Sequence, residues 1–467
     1  MRVAEDPVIG NSGRIFRPGN GRGWPAIVLL LSVLWVGVVA NGQTVAEPPK
    51  REIINADRQL EIIDSLTQKL NEYYVFPEVA EEMGKYVHRR FKDKEYKEIT
   101  DAAEFAEVLN GDLREICHDR HLGVGWVPPE QMALLVADTA NDEIPERQLA
   151  GMRRRNFDFR KLEWLEGNVG YLDLRGFNEA AWAGETAVAA MNWFAHCDAL
   201  IIDLRNNGGG SPSMIQLISS YFFDEPVHLN SFYIRKEDSI KQFWTSAHVQ
   251  GKRMTDVDLY VLTSRYTFSG AEEFTYNMKN LERATIIGET TGGGAHPVDQ
   301  HIFPNLNIVA RVPFGRAINP ITGTNWEGTG VTPHIDVPQE EALTVAHLEA
   351  LKKLAEDATE EDREPLNWAM AGLNAKLHPV EVDPTVLRSY AGVYGPRTIT
   401  YEQGELFYQR EDRPKYRMIP MAEDLFWFED LDYFRLKVVT DDQGAPIELH
   451  GLYAGGHKDI SVRNPGN

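Results

Sequence analysis

One serine in the second half of the chain is placed where its hydroxyl could act as a nucleophile. Ser269 lies in the segment TFSGAEE, between the apolar run 259–264 and an amphipathic stretch. A serine on a strand-to-helix turn projects its hydroxyl, and the N–H of the following residue, Gly270, points to where an oxyanion would form. Glu272 also completes the capping-box pattern S-x-x-E with this serine. Both interpretations require the same turn, so they are compatible.

A nucleophilic serine requires a base, and the base requires a group that orients it. The densest of the histidine-containing segments is CHDRHL at 117–122, which offers His118 and His121. Their distance from Ser269 along the chain does not exclude them, since members of a triad are adjacent only in space. Cys117 and His121 alone do not make a metal site, and no second ligand pair matches them, so we expect no bound metal.

Two glycine-rich segments each follow an apolar run. They are DLRNNGGG at 203–210 and GETTGGG at 288–294. Such loops can present backbone N–H groups to an anion, or can simply be tight turns that require glycine at positive φ. A phosphate-binding loop is disfavoured, because no Gly-Lys-Ser/Thr follows either segment. Together with Ser269, these segments predict a site at the carboxyl ends of parallel strands.

The elements that must position these residues form an α/β core. Apolar residues recur at three- and four-residue steps through the first part of the chain, which predicts helices. From residue 168, short apolar runs alternate with amphipathic stretches, which predicts a mostly parallel sheet covered by helices. The last part carries frequent turn signals and many aromatic residues, which predicts a small β module.

These patterns divide the chain into six predicted segments. They are a leader or anchor at 1–40, an N-terminal helical domain at 51–128, a connecting segment at 129–167, an α/β catalytic core at 168–340, a helical linker at 341–378 and a β-rich appendage at 386–467.

Charge and composition limit the partners and the compartment. The chain has 48 Lys and Arg against 70 Asp and Glu, a net charge of −22, which argues against nucleic-acid binding. Arginines precede an apolar run of about 15 residues, shorter than the roughly 20 that a spanning helix needs. We therefore expect a cleaved export signal and a periplasmic or secreted protein, with membrane attachment only if the leader is retained. Two cysteines are too few for a disulfide scaffold.

Six segments together resemble the serine peptidase family that contains tail-specific (C-terminal processing) proteases, tricorn core protease and interphotoreceptor retinoid-binding protein. The segments are DRHL at 119–122, VGYLDLRGF at 169–177, LIIDLRNNGGG at 200–210, TFSGAEEF at 267–274, ATIIGETTGGGA at 284–295 and NWEGTGVTPHI at 325–335. The resemblance implies a crotonase-like α/β core after a small helical domain, a peptide or protein substrate, and no cofactor. The interval from Leu122 to Asn168 is too short for the PDZ module of the tail-specific enzymes.

The resemblance also implies roles for individual residues. Ser269 falls on the nucleophile of the family. The lysine that serves as base in the tail-specific bacterial type is absent from 290–295, so the sequence is closer to the tricorn and retinoid-binding-protein branch. By that likeness His121 is the general base, with His118 as the alternative, and Glu327 holds the seryl–imidazole network.

The likeness assigns the oxyanion hole to backbone N–H groups of Gly270 and of Gly209 or Gly210. His296, which follows the second glycine-rich segment, either lines a substrate subsite or is structural. Arg120 stands where tricorn has a serine beside its histidine, which leaves a helper hydroxyl in doubt.

The C-terminal module resembles the lipocalin-like β-barrel appendages of secreted hydrolases. The whole pattern predicts an exported serine peptidase that acts through an acyl-enzyme with a Ser/His/Glu site. The alternative is a non-catalytic binding module of the same fold that carries a small apolar ligand or a peptide. A hydrolase of small esters or lactones would use the same residues, and the joint presence of Ser269, His121 and Glu327 favours catalysis over binding.

Overall fold

A computed structural model describes residues 51–139 and 144–465. The predicted leader at 1–40 lies outside the described residues. Within the described ranges, no helix has both the length and the apolar character needed to cross a bilayer.

The described chain begins with three helices, continues with a mixture of strands and helices, and ends with a run of strands. The α-helices are α1 Ala56–Tyr73, α2 Pro77–Lys92, α3 Ala102–Cys117, α4 Pro129–Thr139, α5 Glu146–Arg154, α6 Ala180–Trp193, α7 Pro212–Ser219, α8 Gly270–Asn280, α9 Ala342–Asp357, α10 Glu360–Leu377 and α11 Pro384–Tyr390. The strands before residue 340 are β1 Gly123–Trp126, β2 Phe159–Leu165, β3 Val169–Leu174, β4 Ala199–Asp203, β5 His228–Ile234, β6 Ser239–Trp244, β7 Asp258–Thr263, β8 Ala284–Gly288, β9 Val298–Phe303, β10 Ile308–Pro313, β11 Gly315–Ile318 and β12 Ile335–Asp336. The later strands are β13 Gly392–Tyr394, β14 Arg397–Glu402, β15 Glu405–Arg410, β16 Tyr416–Pro420, β17 Leu425–Trp427, β18 Phe434–Thr440, β19 Pro446–Tyr453 and β20 Lys458–Val462.

The core is a six-stranded sheet in the order β12-β8-β7-β4-β3-β2. All neighbours are parallel except the edge strand β2, which runs antiparallel to β3. Strands β3 and β4 are buried at every position, as expected for continuous apolar runs covered on both faces. The predicted α/β fold class, with helices before the sheet and a β module after it, is confirmed.

Helices cover both faces of this sheet. One face packs against α6, α7 and α8 through residues such as Met191, Ile215 and Phe274. The other packs against α9 and α10. The segment 341–378 is therefore a helical hairpin on the sheet and not only a linker. The small side chains of Ala342 and Ala346, four residues apart, let α9 approach the strands closely.

Two parts of the chain contain more regular structure than the sequence predicted. Segment 129–167, predicted as a connection, contains α4, α5 and edge strand β2, whose exposed and charged positions hide its alternation. Strand β1, at the end of the helical domain, pairs with β10 in a sheet of order β1-β10-β9. This sheet joins the helical domain to the core.

The C-terminal module is an antiparallel meander of eight strands, β13 to β20 in chain order. An isolated bridge between Tyr394 and Arg463 brings the two ends of the meander together, so the sheet is a nearly closed barrel. Its interior holds the aromatic side chains that marked the module in the sequence.

Substitution of Leu351 measures how much the packing of the α9–α10 hairpin on the sheet contributes to stability. The side chain is fully buried and packs where Gly167 leaves room, since a Cβ on Gly167 would come within 2.2 Å of Leu351 Cδ2. Leu351→Ala should lower the free energy of unfolding by about 2–5 kcal/mol, measured by urea denaturation. The matched control Lys352→Ala, at an exposed neighbouring position, should change it by less than about 0.5 kcal/mol. Equal midpoints for the two variants would contradict this packing.

Candidate active site

Ser269 stands on a strained turn at the N-terminus of α8. Its backbone has φ 55° and ψ −121°, in the region that L-residues rarely adopt. Such a conformation costs on the order of 1–3 kcal/mol and persists only where its surroundings impose it. The side chain is half-buried. The strand β7, the turn and α8 thus form the strand–turn–helix arrangement that exposes a nucleophilic serine.

The Glu272 carboxylate holds this turn to the second glycine-rich loop. Its Oε2 accepts the Ser269 N–H at 2.9 Å and the Gly294 N–H at 2.8 Å. Its Oε1 accepts the Gly293 N–H at 2.7 Å and the Thr291 hydroxyl at 2.5 Å. Burial raises the pKa of Glu272 to about 7, and the four hydrogen bonds act in the opposite direction. The capping interaction and the strained serine turn therefore coexist, as the sequence predicted.

The His121 ring lies beside this turn. It packs on the Phe268 ring with centroids 4.6 Å apart, and a Cβ on Gly294 would come within 2.5 Å of its Cε1. The residue is 8% exposed, and neither ring nitrogen has a hydrogen-bond partner among the described residues. Burial lowers the pKa of His121 to about 4, so the imidazole is neutral near pH 7. A buried imidazole without partners next to a strained serine suits a general base.

Asp119 binds to both histidines of the site. Its Oδ1 accepts the backbone N–H of His121 at 2.8 Å and lies 4.0 Å from that ring's Nδ1. Its Oδ2 is 2.7 Å from His296 Nδ1. Burial opposes ionisation of Asp119, but the two histidines outweigh it and lower the pKa of this carboxyl. Among the described residues, Asp119 is thus the carboxylate within 4.0 Å of the His121 ring.

Glu327 lies behind His296. Its Oε2 accepts the Ala295 N–H at 2.6 Å and is 3.6 Å from His296 Nδ1, while its Oε1 is buried and has no hydrogen-bond partner among the described residues. Burial, and then the charge of Asp119, raise the pKa of Glu327. The ligand atoms of Asp119, His296 and Glu327 lie within 4.8 Å of one another, so these three residues could hold a cation. At 2.7 Å, however, Asp119 and His296 are already joined by a hydrogen bond.

The first glycine-rich loop approaches the serine from the other side. A Cβ on Gly209 would lie 2.7 Å from Gly270 N, and one on Gly270 would lie 2.9 Å from Gly210 N, so both positions require glycine. The Gly209 N–H donates to Asn207 Oδ1 at 2.8 Å. In the described chain, the N–H groups of Gly210 and Gly270 donate to no protein atom. These two amides are therefore the donors available to an oxyanion.

The remaining predicted residues lie around this centre. His118 caps the end of α3 in the left-handed conformation and is exposed, and its ring forms no hydrogen bond or ion pair with any described residue. His296, predicted as a subsite or structural residue, is 5% exposed. The Arg120 side chain lies over the Phe268 ring and donates to the Gly292 carbonyl at 2.5 Å.

Sequence reasoning missed Asp119 and understated Glu272. The Asp-x-His spacing before His121 was visible, but nothing in it showed that the carboxylate would bridge two histidines. Glu272 was recognised only as a cap, because its bonds to Gly293 and Gly294 depend on a loop some twenty residues away. The pairing of His296 with Asp119 joins residues 177 positions apart.

Two family models match parts of the chain. Residues 168–337 match the family model described as peptidase family S41, and residues 50–154 match the N-terminal domain of that peptidase in eukaryotic IRBP. The chain contains a peptidase family S41 domain. The recognition of this family from sequence motifs is thereby confirmed.

Curated relatives and solved structures resemble the S41 domain at low identity. A probable CtpA-like serine protease of Staphylococcus saprophyticus is 22% identical over 254 residues, which is 50% of this chain and 47% of that protein. The chain thus spans about half the length of the curated relatives that it matches. Mature CPAF is 13% identical with a TM-score of 0.47, covering 65% of this chain and 99% of that one. The photosystem II D1 C-terminal processing protease is 16% identical with a TM-score of 0.39, covering 61% and 94%.

The Glu272 carboxylate can be tested separately from catalysis. In Glu272→Gln, one carboxylate oxygen becomes an NH₂ group that faces backbone donors, so the variant should lose about 1–3 kcal/mol of unfolding free energy. The measurement is urea denaturation at pH 8. Glu282→Gln, at an exposed position just after α8, is the matched control and should leave the stability unchanged. A Glu272→Gln variant as stable as its control would show that the four bonds do not hold the turn.

Proposed function

We propose that this chain is a serine-type peptidase that cleaves peptide bonds through an acyl-enzyme formed on Ser269. The observation that carries the proposal is the strained Ser269 turn, which lies between a buried imidazole without partners and two free backbone N–H groups. The S41 domain supports the same reaction class. Peptides or proteins are the proposed substrates.

The chemistry follows from these three parts. His121 takes the proton of the Ser269 hydroxyl as Oγ attacks the scissile carbonyl carbon, and the carbonyl oxygen becomes an oxyanion. The imidazolium then gives the proton to the leaving amine, and the C–N bond breaks. Water, activated by His121, hydrolyses the ester and restores the serine. The hydrogen bond from Ser269 to the ring forms in the complex with substrate, as is common in sites whose free form is loosely aligned.

We assign the oxyanion hole to the N–H groups of Gly270 and Gly210. Gly209 was an equal candidate from the sequence, but its N–H is bonded to Asn207. Two fixed donors stabilise the developing charge without reorganisation.

The two acidic residues have different roles: Asp119 acts on His121 directly, and Glu327 acts only through His296. The site is therefore not a simple Ser/His/Glu triad. Asp119 orients His121, since its carboxylate holds that residue's backbone N–H and lies 4.0 Å from Nδ1. His296 holds Asp119, and Glu327 holds His296. Glu327 is thus a positioning residue that acts through His296, whereas the sequence placed it directly in the seryl–imidazole network. Export by the leader at 1–40 remains part of the proposal.

A fluorophosphonate probe separates an enzyme from a binding module. The wild type should be labelled once per chain, Ser269→Ala should not be labelled, and His121→Ala should react about 10²–10⁴ times more slowly because the base is lost. His301→Ala is the control, since this histidine packs on the Tyr73 ring, has no hydrogen bond or ring contact with Ser269, Phe268 or His121, and should leave labelling unchanged. The readout is intact-protein mass spectrometry. Equal labelling of wild type and Ser269→Ala, or none of either, would refute the peptidase and favour the binding module.

The pH dependence of labelling tests the burial of the base. His121 must be neutral to accept a proton, and burial lowers its pKa to about 4, so titration of His121 should lower the rate only as pH nears 4. A change in rate near pH 7 would come from Glu272, whose pKa burial raises to about 7, and should be absent in Glu272→Gln. The measurement is the second-order labelling rate of both proteins between pH 3.5 and 9, with circular dichroism to verify folding at each pH. An inflection near the ordinary imidazole value of about 6.5 that persists in Glu272→Gln would mean that the working base is solvated or is another histidine.

A further inference from the structure

The C-terminal barrel contains an arginine that its structural role does not require. Arg397, the first residue of β14, is 1% exposed and reaches across the barrel interior to β20. It donates to both carboxylate oxygens of Asp459, at 2.6 and 2.8 Å, and to the Ser461 hydroxyl at 2.9 Å. A buried charge is costly unless paired, and replacement by an apolar side chain is often neutral or stabilising. A packed barrel alone would not need this pair.

The backbone of β19 is shaped around the same pair. A Cβ on Gly451 would lie 2.2 Å from Asp459 Oδ1 and 2.7 Å from an Arg397 guanidinium nitrogen. Glycine is therefore required where the strand passes the ion pair. The arrangement is a built polar site and not a stray surface contact.

A small cavity adjoins this pair, because Tyr408 and Tyr453 in its wall hydrogen-bond to Arg397 and Asp459. Its volume is about 100 Å³, and its wall includes Arg410, Arg413 and the rings of Tyr408, Tyr416, Tyr433 and Tyr453. Among the described residues that line it, none carries a carboxylate. Since a water molecule occupies about 30 Å³ of liquid, the cavity has room for a carboxylate group and part of an apolar body.

The charges around the cavity do not balance. Asp459 is already bound by Arg397 and also lies 3.9 Å from the Arg410 guanidinium. Arg413 forms no ion pair with any described residue. Arg397 and Arg410 therefore share one carboxylate, and Arg413 has no such partner among the described residues. Guanidinium groups that are not fully paired, in the wall of an aromatic cavity, indicate an anionic ligand.

We propose that this end of the barrel binds a small organic carboxylate with an apolar or aromatic body. The guanidinium groups of Arg410 and Arg413 hold the carboxylate, and the body lies against the tyrosine rings. The carboxylate can belong to a free small molecule or to the C-terminus of a peptide. Both share the chemistry that the cavity recognises.

Calorimetric titration of the full chain tests the site. Phenylacetate should bind with a dissociation constant of about 0.1–1 mM, as expected for a ligand of this size, and its uncharged isostere phenylacetamide should not bind. Arg413→Gln and Arg410→Gln should each weaken phenylacetate binding at least tenfold. Arg417→Gln is the matched control, because Arg417 pairs with Glu405 on the outside of the barrel and does not line the cavity.

A second titration identifies whether the carboxylate belongs to a small molecule or to a peptide C-terminus. A tetrapeptide ending in phenylalanine, compared with its amidated form, shows whether a chain terminus can enter the same cavity. Thermal melting verifies that each variant is folded. Absence of phenylacetate binding, equal binding of phenylacetamide, equal binding of inorganic phosphate, or unchanged affinity in both arginine variants would overturn the proposal. None of these outcomes depends on Ser269, so they are independent of the peptidase test.

Discussion

The geometry of the candidate site depends on one buried carboxylate. Glu272 binds the N–H of Ser269 on one side and those of Gly293 and Gly294 on the other. It thereby joins the strained serine turn to the loop that continues into Ala295 and His296. Without an acceptor at this point, four donors would be buried without partners, which is far more costly than the strain at Ser269. The Glu272 carboxylate therefore fixes the conformation of the turn, and the turn fixes the position of Ser269.

The second constraint is that the site is shared between two parts of the chain. Asp119 and His121 follow α3 of the helical domain, whereas Ser269 and His296 belong to the core. The contacts between these parts are specific: the Val75 N–H donates to the Pro313 carbonyl, Arg235 donates to the Tyr74 carbonyl, and β1 pairs with β10. Because the proposed base comes from one part and the proposed nucleophile from the other, the relative placement of these parts controls their alignment.

The sequence predicted the sheet and the serine turn because their determinants are local. Runs such as 199–204 are apolar enough to be read as buried strands, and Ser269 with Glu272 carries its own turn signal. The sequence could not show that Asp119 binds His296, or that Glu327 meets His296 instead of His121, since these contacts join distant loops. Strand β2 was missed because an exposed edge strand loses the regular alternation, and the α9–α10 hairpin was underestimated because alanines give a weak amphipathic signal.

The barrel shows the same difference between local features, which the sequence predicts, and long-range contacts, which it does not. Its turns and aromatic residues predicted a β module, yet the Arg397–Asp459 pair joins the first residue of β14 to β20, across nearly the whole module. Nothing in those turn signals or aromatic residues indicated a charge inside the barrel. The register of the meander is what brings three arginines to one end.

The most direct test of the proposed mechanism is a crystal structure of the chain after reaction with a fluorophosphonate. The mechanism predicts a phosphorus atom bonded to Ser269 Oγ, with its phosphoryl oxygen accepting hydrogen bonds from the N–H groups of Gly270 and Gly210. The His121 ring should lie within hydrogen-bond reach of the adduct. An adduct on another residue, or a phosphoryl oxygen turned away from both amides with His121 still buried and remote, would contradict it.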